Sequence, residues 1–393
     1  MAFLGNDAVN RVNLHSGIQA LATSGGGVFF VVFLLRVGLS VPAALSAMAA
    51  IMAARFVLRP VILPLAKRWG LKPLLILGTV GLAFQYPLLA KVQGVGAGLG
   101  VLCLVTALGD IFYWPAYNAY FAAIGDAEHR GHQIGAREAL VAVAGILAPL
   151  LGAWALVELG PGLMFAAVGA VQGLAAVPLI GAPNVAIAPA APGAFRAGRL
   201  GAALYACDGW FDACYFFVWQ IALFVSLGES LAAYGGAMAL AGLVGAACGL
   251  LLGRHIDAGH GRRAVAVAYG VATVVLLLRA ASFGSPWLAV GANALGAIVM
   301  SLLLPTLGTA TYNLAKASPC PLRFQLAAEA GWDVGCLGAC LAAAGLAASG
   351  ISLAAALLLG LPALAIGATL LRRHYARWPS LTLLDRARPP EPG

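Results

Sequence analysis

Twelve long apolar stretches lie between Ser16 and Leu371, and the lysines and arginines outside them collect in alternate gaps. The basic gaps hold Lys67, Arg68 and Lys72, then Arg130, then Arg196 and Arg199, then Arg254, Arg262 and Arg263, then Lys316 and Arg323, and last an arginine-rich tail. The intervening gaps hold essentially one basic residue, Lys91. Each stretch runs to about 20–28 residues, enough to cross a hydrocarbon layer of about 30 Å with some tilt. Cationic loops stay on the cytoplasmic side, so the pattern predicts a multi-pass protein of twelve spans with both termini inside. Lipid offers backbone groups no partners, so every span must be a helix.

Composition agrees. Only 9% of residues are charged and 62% are apolar, where a soluble domain carries about 25% charged residues. The net charge of +9 follows from topology by its placement in loops, and nucleic acid is not an expected partner. No stretch reads as an isolated signal-peptide core ahead of a soluble domain. Six cysteines, Cys103, Cys207, Cys214, Cys248, Cys336 and Cys340, fall inside spans. None shares a metal-ligand spacing with a histidine, and no cofactor or metal is expected.

The spans are predicted at 16–39, 41–66, 72–93, 97–125, 133–157 and 162–182, then at 200–227, 230–253, 263–283, 286–315, 324–349 and 351–371. This gives an N-terminal six-helix bundle over 1–182 and a Pro/Ala/Gly-rich cytoplasmic linker over 183–199. A C-terminal six-helix bundle over 200–371 and a loose cytoplasmic tail over 372–393 complete the chain. The two sets share a plan. Leu108-Gly109 precedes Tyr117-Asn118, Arg130, Gln133 and Glu138-Ala139; Leu295-Gly296 precedes Tyr312-Asn313, Arg323, Gln325 and Glu329-Ala330. Parallel six-helix repeats place a substrate site at their interface, near mid-membrane.

Between the eighth and ninth spans stands Gly253-Arg254-His255-Ile256-Asp257-Ala258-Gly259-His260-Gly261-Arg262-Arg263. It resembles the Gly-x-x-x-Asp-Arg-x-Gly-Arg-Arg loop of the major facilitator superfamily, with one extra residue before the last glycine. The copy between the second and third spans is degraded, with Lys67 in place of the aspartate. In the fifth span, Gly145-Ile146-Leu147-Ala148-Pro149-Leu150-Leu151-Gly152-Ala153 is similar to the Gly-Pro-x-x-Gly-Gly motif of that family's antiporters, with alanine twice replacing glycine. The resemblance covers essentially the whole chain. It implies an all-α fold of two pseudo-symmetric six-helix bundles, with spans 1, 4, 7 and 10 around a central cavity. Asp257 with Arg262 or Arg263 is then a candidate cytoplasmic gate latch; the arginines as topology anchors alone are the other reading.

Ionisable groups inside a span cost at least about 2.5–3.5 kcal/mol each, so they are functional candidates. Those read as deep are Arg55, Asp110, Asp208, Asp212, Glu329 and Asp333. Arg36 and Arg279 sit near outer span ends, where long side chains snorkel, and read as interfacial anchors. On the seventh span Tyr205, Asp208, Asp212, Tyr215 and Trp219 recur at helical spacing and share one face. That face lines either a transport path or a buried seam satisfied by neighbouring helices. Asp110 heads a similar row with Tyr113 and Tyr117 on the fourth span, and Arg55 is its expected partner. Burial disfavours the charged form of an acid, and a neighbouring carboxylate disfavours it further. Asp208, Asp212, Glu329, Asp333 and Asp110 are therefore the proton-coupling candidates, with Asp208 or Asp212 preferred. Gln19, Thr23, Asn293 and Trp332 join the aromatic residues as substrate-cavity candidates. His15 reads as a solvated span end.

No nucleophile–base pair, metal set or phosphate cradle appears, so an enzyme is not expected. The loops are too short for a nucleotide-hydrolysing domain. What remains is secondary transport of a small organic molecule by alternating access in the plasma (inner) membrane. Proton-coupled antiport, exporting a cationic or neutral amphipathic compound, leads. A proton-coupled importer or an uncoupled facilitator of a nutrient comes next, and a non-transporting sensor is the distant alternative. Substrate, protons and lipid are the expected partners, and the expected state is a monomer.

Overall fold

The computed structural model describes residues 6–124, 130–252 and 261–386. Among them, twelve helices are long and apolar enough to cross a bilayer. They are α1 (Asp7–Arg36), α2 (Val41–Trp69), α3 (Leu71–Leu89), α4 (Ala97–Phe121), α5 (Leu140–Glu158) and α6 (Gly160–Ile180). The second set is α7 (Arg199–Ser226), α8 (Leu231–Cys248), α9 (Arg262–Ser282), α10 (Pro286–Ala317), α11 (Pro321–Ala348) and α12 (Leu353–Ala376). The chain is a multi-pass integral membrane protein. Trp154, Leu151, Leu163, Leu243, Val274 and Leu304 all face outward, an apolar surface that water would not tolerate and lipid does.

Two ends differ from expectation. The first helix begins at Asp7, well before Ser16, because the Asn6 side chain accepts a hydrogen bond from the Val9 amide at 3.1 Å and caps it. The last helix runs on to Arg386, so the tail expected to be loose is helical over its described length.

Short breaks interrupt α6 at Ala175–Ala176 and α12 at Leu359, and three more helices are locally broken. The run Gly25-Gly26-Gly27 opens a tight turn over Gly27–Phe29 within α1. Pro60 lacks an amide proton and gives a second such turn over Arg59–Val61 in α2. In α7 the backbone widens to a π-turn over Ala213–Val218, which rotates everything after it relative to what precedes.

Helices α1–α6 and α7–α12 form two bundles that meet along α2 with α11 and along α5 with α8. The second contact is close because Gly242 of α8 presents no side chain to the Gly145 carbonyl of α5. At the end remote from the termini, the outer segments of α1 and α7 also touch. There the Phe29 and Tyr234 rings pack edge-on at 5.6 Å, and the Tyr234 hydroxyl donates to the Val28 carbonyl at 3.0 Å. That end is sealed between the bundles.

The terminus-bearing end is strapped by the segment between α6 and α7. The Leu71 amide donates to Val185 at 2.9 Å, and Arg323 of α11 donates to the Ala188 and Pro189 carbonyls at 3.2 and 3.0 Å. Beside the strap, α4, α10 and α11 part around a cavity of about 140 Å³ lined by Asn118, Ala119, Ala123, Tyr312, Lys316 and Gln325.

Candidate functional site

Arg55 and Arg59 stand one turn apart on α2 and so share a face, as do Glu329 and Asp333 on α11. Because α2 packs on α11, the two pairs meet across the seam between the bundles. Arg55 Nε lies 2.8 Å from Asp333 Oδ1, and Arg55 Nη2 lies 3.4 Å from Glu329 Oε2. Arg59 Nε donates to Asp333 Oδ2 at 3.1 Å, and its Nη2 meets the same oxygen. Arg59 Nη1 is 4.0 Å from Glu329 Oε2. From α4, Asp110 Oδ2 accepts from Arg55 Nη1 at 3.1 Å, the pairing expected from the sequence. Both arginines and Asp333 are buried, Asp333 completely.

Two tryptophans extend the cluster. Trp114, one turn beyond Asp110, donates to Asp110 Oδ1 at 3.1 Å. Trp332 stacks under the Arg55 guanidinium at 5.0 Å, and its indole nitrogen donates to Asp212 Oδ2 on α7 at 3.1 Å. Asp212 is thus tied through one indole to the ion pairs. Asp208, one turn earlier on α7, borders a cavity of about 10 Å³ with Phe211, Tyr269 and Leu303. Among the described residues neither α7 aspartate has a cation at ion-pair distance. Three carboxylates, Asp110, Glu329 and Asp333, thus meet two arginines, with Asp212 linked to them through Trp332 and Asp208 one turn further along α7.

Other residues singled out by sequence go elsewhere. Tyr113 and Tyr117 stack on each other at 5.5 Å and turn toward α1 inside their own bundle. Tyr117 exchanges a hydrogen bond with Ser16 at 2.9 Å. His15, expected at a solvated end, is fully buried. Its Nδ1 faces the Ala175 carbonyl at 2.8 Å, and a carbonyl only accepts, so Nε2 receives the Tyr113 hydroxyl proton at 3.0 Å. Gln19 is buried, whereas Thr23 is exposed and spends its hydroxyl on the Gln19 and Ala20 carbonyls. Tyr205 packs beside the small cluster of Phe324, Ala315 and Ala328. Asn293 accepts from the Trp219 indole at 2.9 Å and donates to Ala237 at 2.9 Å, joining α7, α10 and α8 within one bundle.

Arg279 is not an interfacial anchor. It is buried in the C-terminal bundle, 3.8 Å from the centre of the Tyr215 ring and 4.7 Å from that of Trp219, and it donates to the Tyr215 carbonyl at 2.8 Å. The π-turn of α7 presents that carbonyl and swings both rings toward α9. Arg36, by contrast, is exposed at the end of α1, as an anchor should be. At the proposed latch, Asp257 lies outside the described residues; Arg262 and Arg263 are exposed at the start of α9.

Arg59 is the member of this cluster that sequence reading missed. Its signal was present: it lies inside the predicted span 41–66, one turn from Arg55. Among the described residues, no group of His, Cys, Asp and Glu side chains is arranged to hold a metal ion.

No family model matches the chain, and no curated protein matches it. Solved structures do. The human organic anion transporter MFSD10 (TETRAN) is 16% identical, with a TM-score of 0.67 over 93% of this chain and 99% of that one. The major facilitator superfamily transporter FucP, in its outward conformation, is 14% identical, with a TM-score of 0.66 over 93% and 98%. An auto-inhibited POT family peptide transporter is 15% identical, with a TM-score of 0.61 over 94% and 96%. The chain has the major facilitator superfamily fold, all-α with two interacting six-helix bundles.

Proposed function

We propose that this protein is a secondary active transporter of a small organic molecule, working by alternating access and driven by proton antiport. The observation that carries the reading is a charge imbalance in and beside the seam: three carboxylates held by two arginines, and two more, Asp208 and Asp212 on α7, with no cation at ion-pair distance among the described residues. Three acids in excess cannot all stay ionised in a low-dielectric interior, so protons or a cationic ligand must neutralise them. The cluster also ties the bundles together, so changing its charge changes how firmly they hold. A cation that displaces protons from these carboxylates moves against them, which is antiport. The aromatic walls supplied by Trp114 and Trp332 suit a cationic or neutral amphipathic compound.

In this reading the terminus-bearing end, where the basic loops lie, faces the cytoplasm of a plasma membrane, and the two bundles of a monomer rock about the seam; the basic loops support that orientation. Export follows from antiport against an inward proton gradient.

The test is flux. Purified protein in vesicles, loaded with a pH-sensitive dye, is given ethidium or tetraphenylphosphonium as an aromatic or lipophilic cation probe. A pH gradient should accelerate probe movement, and probe movement should release protons on the opposite side. Asp208→Asn and Asp212→Asn should remove the proton response while leaving the protein folded. Probe flux indifferent to pH in the wild type points instead to an uncoupled facilitator.

A further inference from the structure

The five acids are not equivalent in their access to water. Asp333 is completely buried and held by both arginines. Asp110 is held by Arg55 and Trp114. Of the three acids that the arginines hold, Glu329 has the loosest grip, with Arg55 at 3.4 Å and Arg59 at 4.0 Å, both at Oε2. Its other oxygen, Oε1, faces Asn118 Nδ2 at 3.4 Å. Asn118 in turn lines the 140 Å³ cavity at the terminus-bearing end. That cavity opens at a rim of exposed residues, Ala123, Lys316 and Pro321, and narrows to buried ones, Ala119, Ala315 and Gln325. Gln325 stands one turn before Glu329 on α11; it is 7% exposed, and its side-chain oxygen has no hydrogen-bond partner. A cavity of this size, with Asn118, Tyr312, Lys316 and Gln325 in its wall, admits several waters, and such an oxygen is what a water would bind.

The geometry points to Glu329 as the carboxylate that exchanges protons with the terminus-bearing side, through the cleft between α4, α10 and α11, with Asn118 as the positioning residue at its inner end. This rests on the proton-coupled reading above and assigns it a side and a residue. A hydronium ion in the cleft gives its proton to Glu329 Oε1 and leaves as water. The Asn118 amide then turns over so that its oxygen accepts the new O–H. Oε2 loses its charge and with it the attraction to Arg55 and Arg59, which remain with Asp333 and Asp110. One tie between α11 and α2 is thereby weakened. The other charged or titratable groups near Glu329 are Asp110 from α4, Tyr205 and Asp208 from α7 and Asp333 on its own helix, while Tyr312 and Lys316 from α10 line the cleft.

Infrared difference spectroscopy of the full-length protein in lipid nanodiscs tests this without a substrate. On acidification the wild type should gain a carboxylic-acid carbonyl band. Glu329→Gln should lose that band, and Asn118→Leu, which plugs the inner end, should slow its appearance after a pH jump. A band kept in Glu329→Gln but lost in Asp208→Asn or Asp212→Asn overturns the assignment while leaving proton coupling intact. An unchanged rate in Asn118→Leu overturns the route. Absence of any titrating band in the wild type overturns the proton-coupled reading itself.

Discussion

Two buried arginine environments in this protein solve the same problem in opposite ways. Arg279 is held inside one bundle by two aromatic faces and a backbone carbonyl, with no carboxylate at ion-pair distance among the described residues. Arg55 and Arg59 are held by carboxylates, two of which belong to the other bundle. Aromatic faces and backbone carbonyls do not change charge near neutral pH, and α7, α9 and α10 belong to one bundle, so in the proposed cycle the first cation would keep its surroundings. Carboxylates can take up protons, and in the proposed cycle their bundle moves, so the second pair of cations would change its surroundings. A fixed brace and a switch are thus distinguished by their ligands, not by burial.

The largest effect that would break this contrast is at Asp333. Asp333→Ala removes the acid shared by both arginines and leaves two guanidinium groups short of a partner. Breaking a buried pair in this way costs about 3–5 kcal/mol. Denaturant unfolding in mild detergent should report it. Asp333→Ala with Arg59→Ala should recover part of the loss, because the orphaned charge goes too. Strictly additive losses would show that Asp333 and Arg59 do not act as a pair.

Arg279→Gln should cost less, about 2 kcal/mol for a desolvated cation–π contact. It should also leave the relation between the bundles unchanged. Labelling of a thiol placed at Lys316, on the rim of the cleft, reports that relation in a background free of other reactive cysteines. Equal labelling rates with and without Arg279 support a brace; a changed rate would make Arg279 part of the switch. Gly296 sharpens the same point, since the Arg279 guanidinium occupies the space where a side chain at 296 would project. Gly296→Ala should therefore destabilise by about 1–3 kcal/mol through overpacking, and Arg279→Gln should relieve part of that loss.

The contrast was half legible in the sequence. Span number follows from apolar length and basic gaps, both of which are one-dimensional. The Arg55–Asp110 pair was legible because each is an isolated charge near the middle of its own span. What failed was the assumption of a regular helix. The spacing of Tyr205, Asp208, Asp212, Tyr215 and Trp219 places all five on one face only if α7 keeps its period. The π-turn at Ala213–Val218 begins directly after Asp212, contains Tyr215 and precedes Trp219. Asp212 therefore faces Trp332, and Tyr215 and Trp219 face Arg279. Nothing in that segment's composition announces the extra residue per turn. Arg279 was misplaced for a related reason: position near a span end suggests snorkelling, and only the neighbouring helices decide whether the side chain turns inward instead.

The smallest expected effect tests whether the aromatic edge of the switch is structural or electrostatic. Trp114 is 38% exposed, and its indole donates a single hydrogen bond to Asp110 Oδ1. Trp114→Phe keeps an aromatic ring in place and removes that donor. The loss of one hydrogen bond at a partly exposed site should cost about 1 kcal/mol. The informative quantity is the ion pair beside it. Asp110 Oδ2 already accepts from Arg55, so a carboxylate stripped of its other donor must lean harder on the arginine or accept a proton. In the first case Arg55 draws toward Asp110 and away from Glu329, and Trp114→Phe should ease protonation of Glu329, moving its infrared band to higher pH. In the second case a separate band, sensitive to Asp110→Asn, should appear in the variant alone. Neither shift would be expected if the tryptophan only fills space, and a Trp114→Phe spectrum identical to wild type would remove it from the switch.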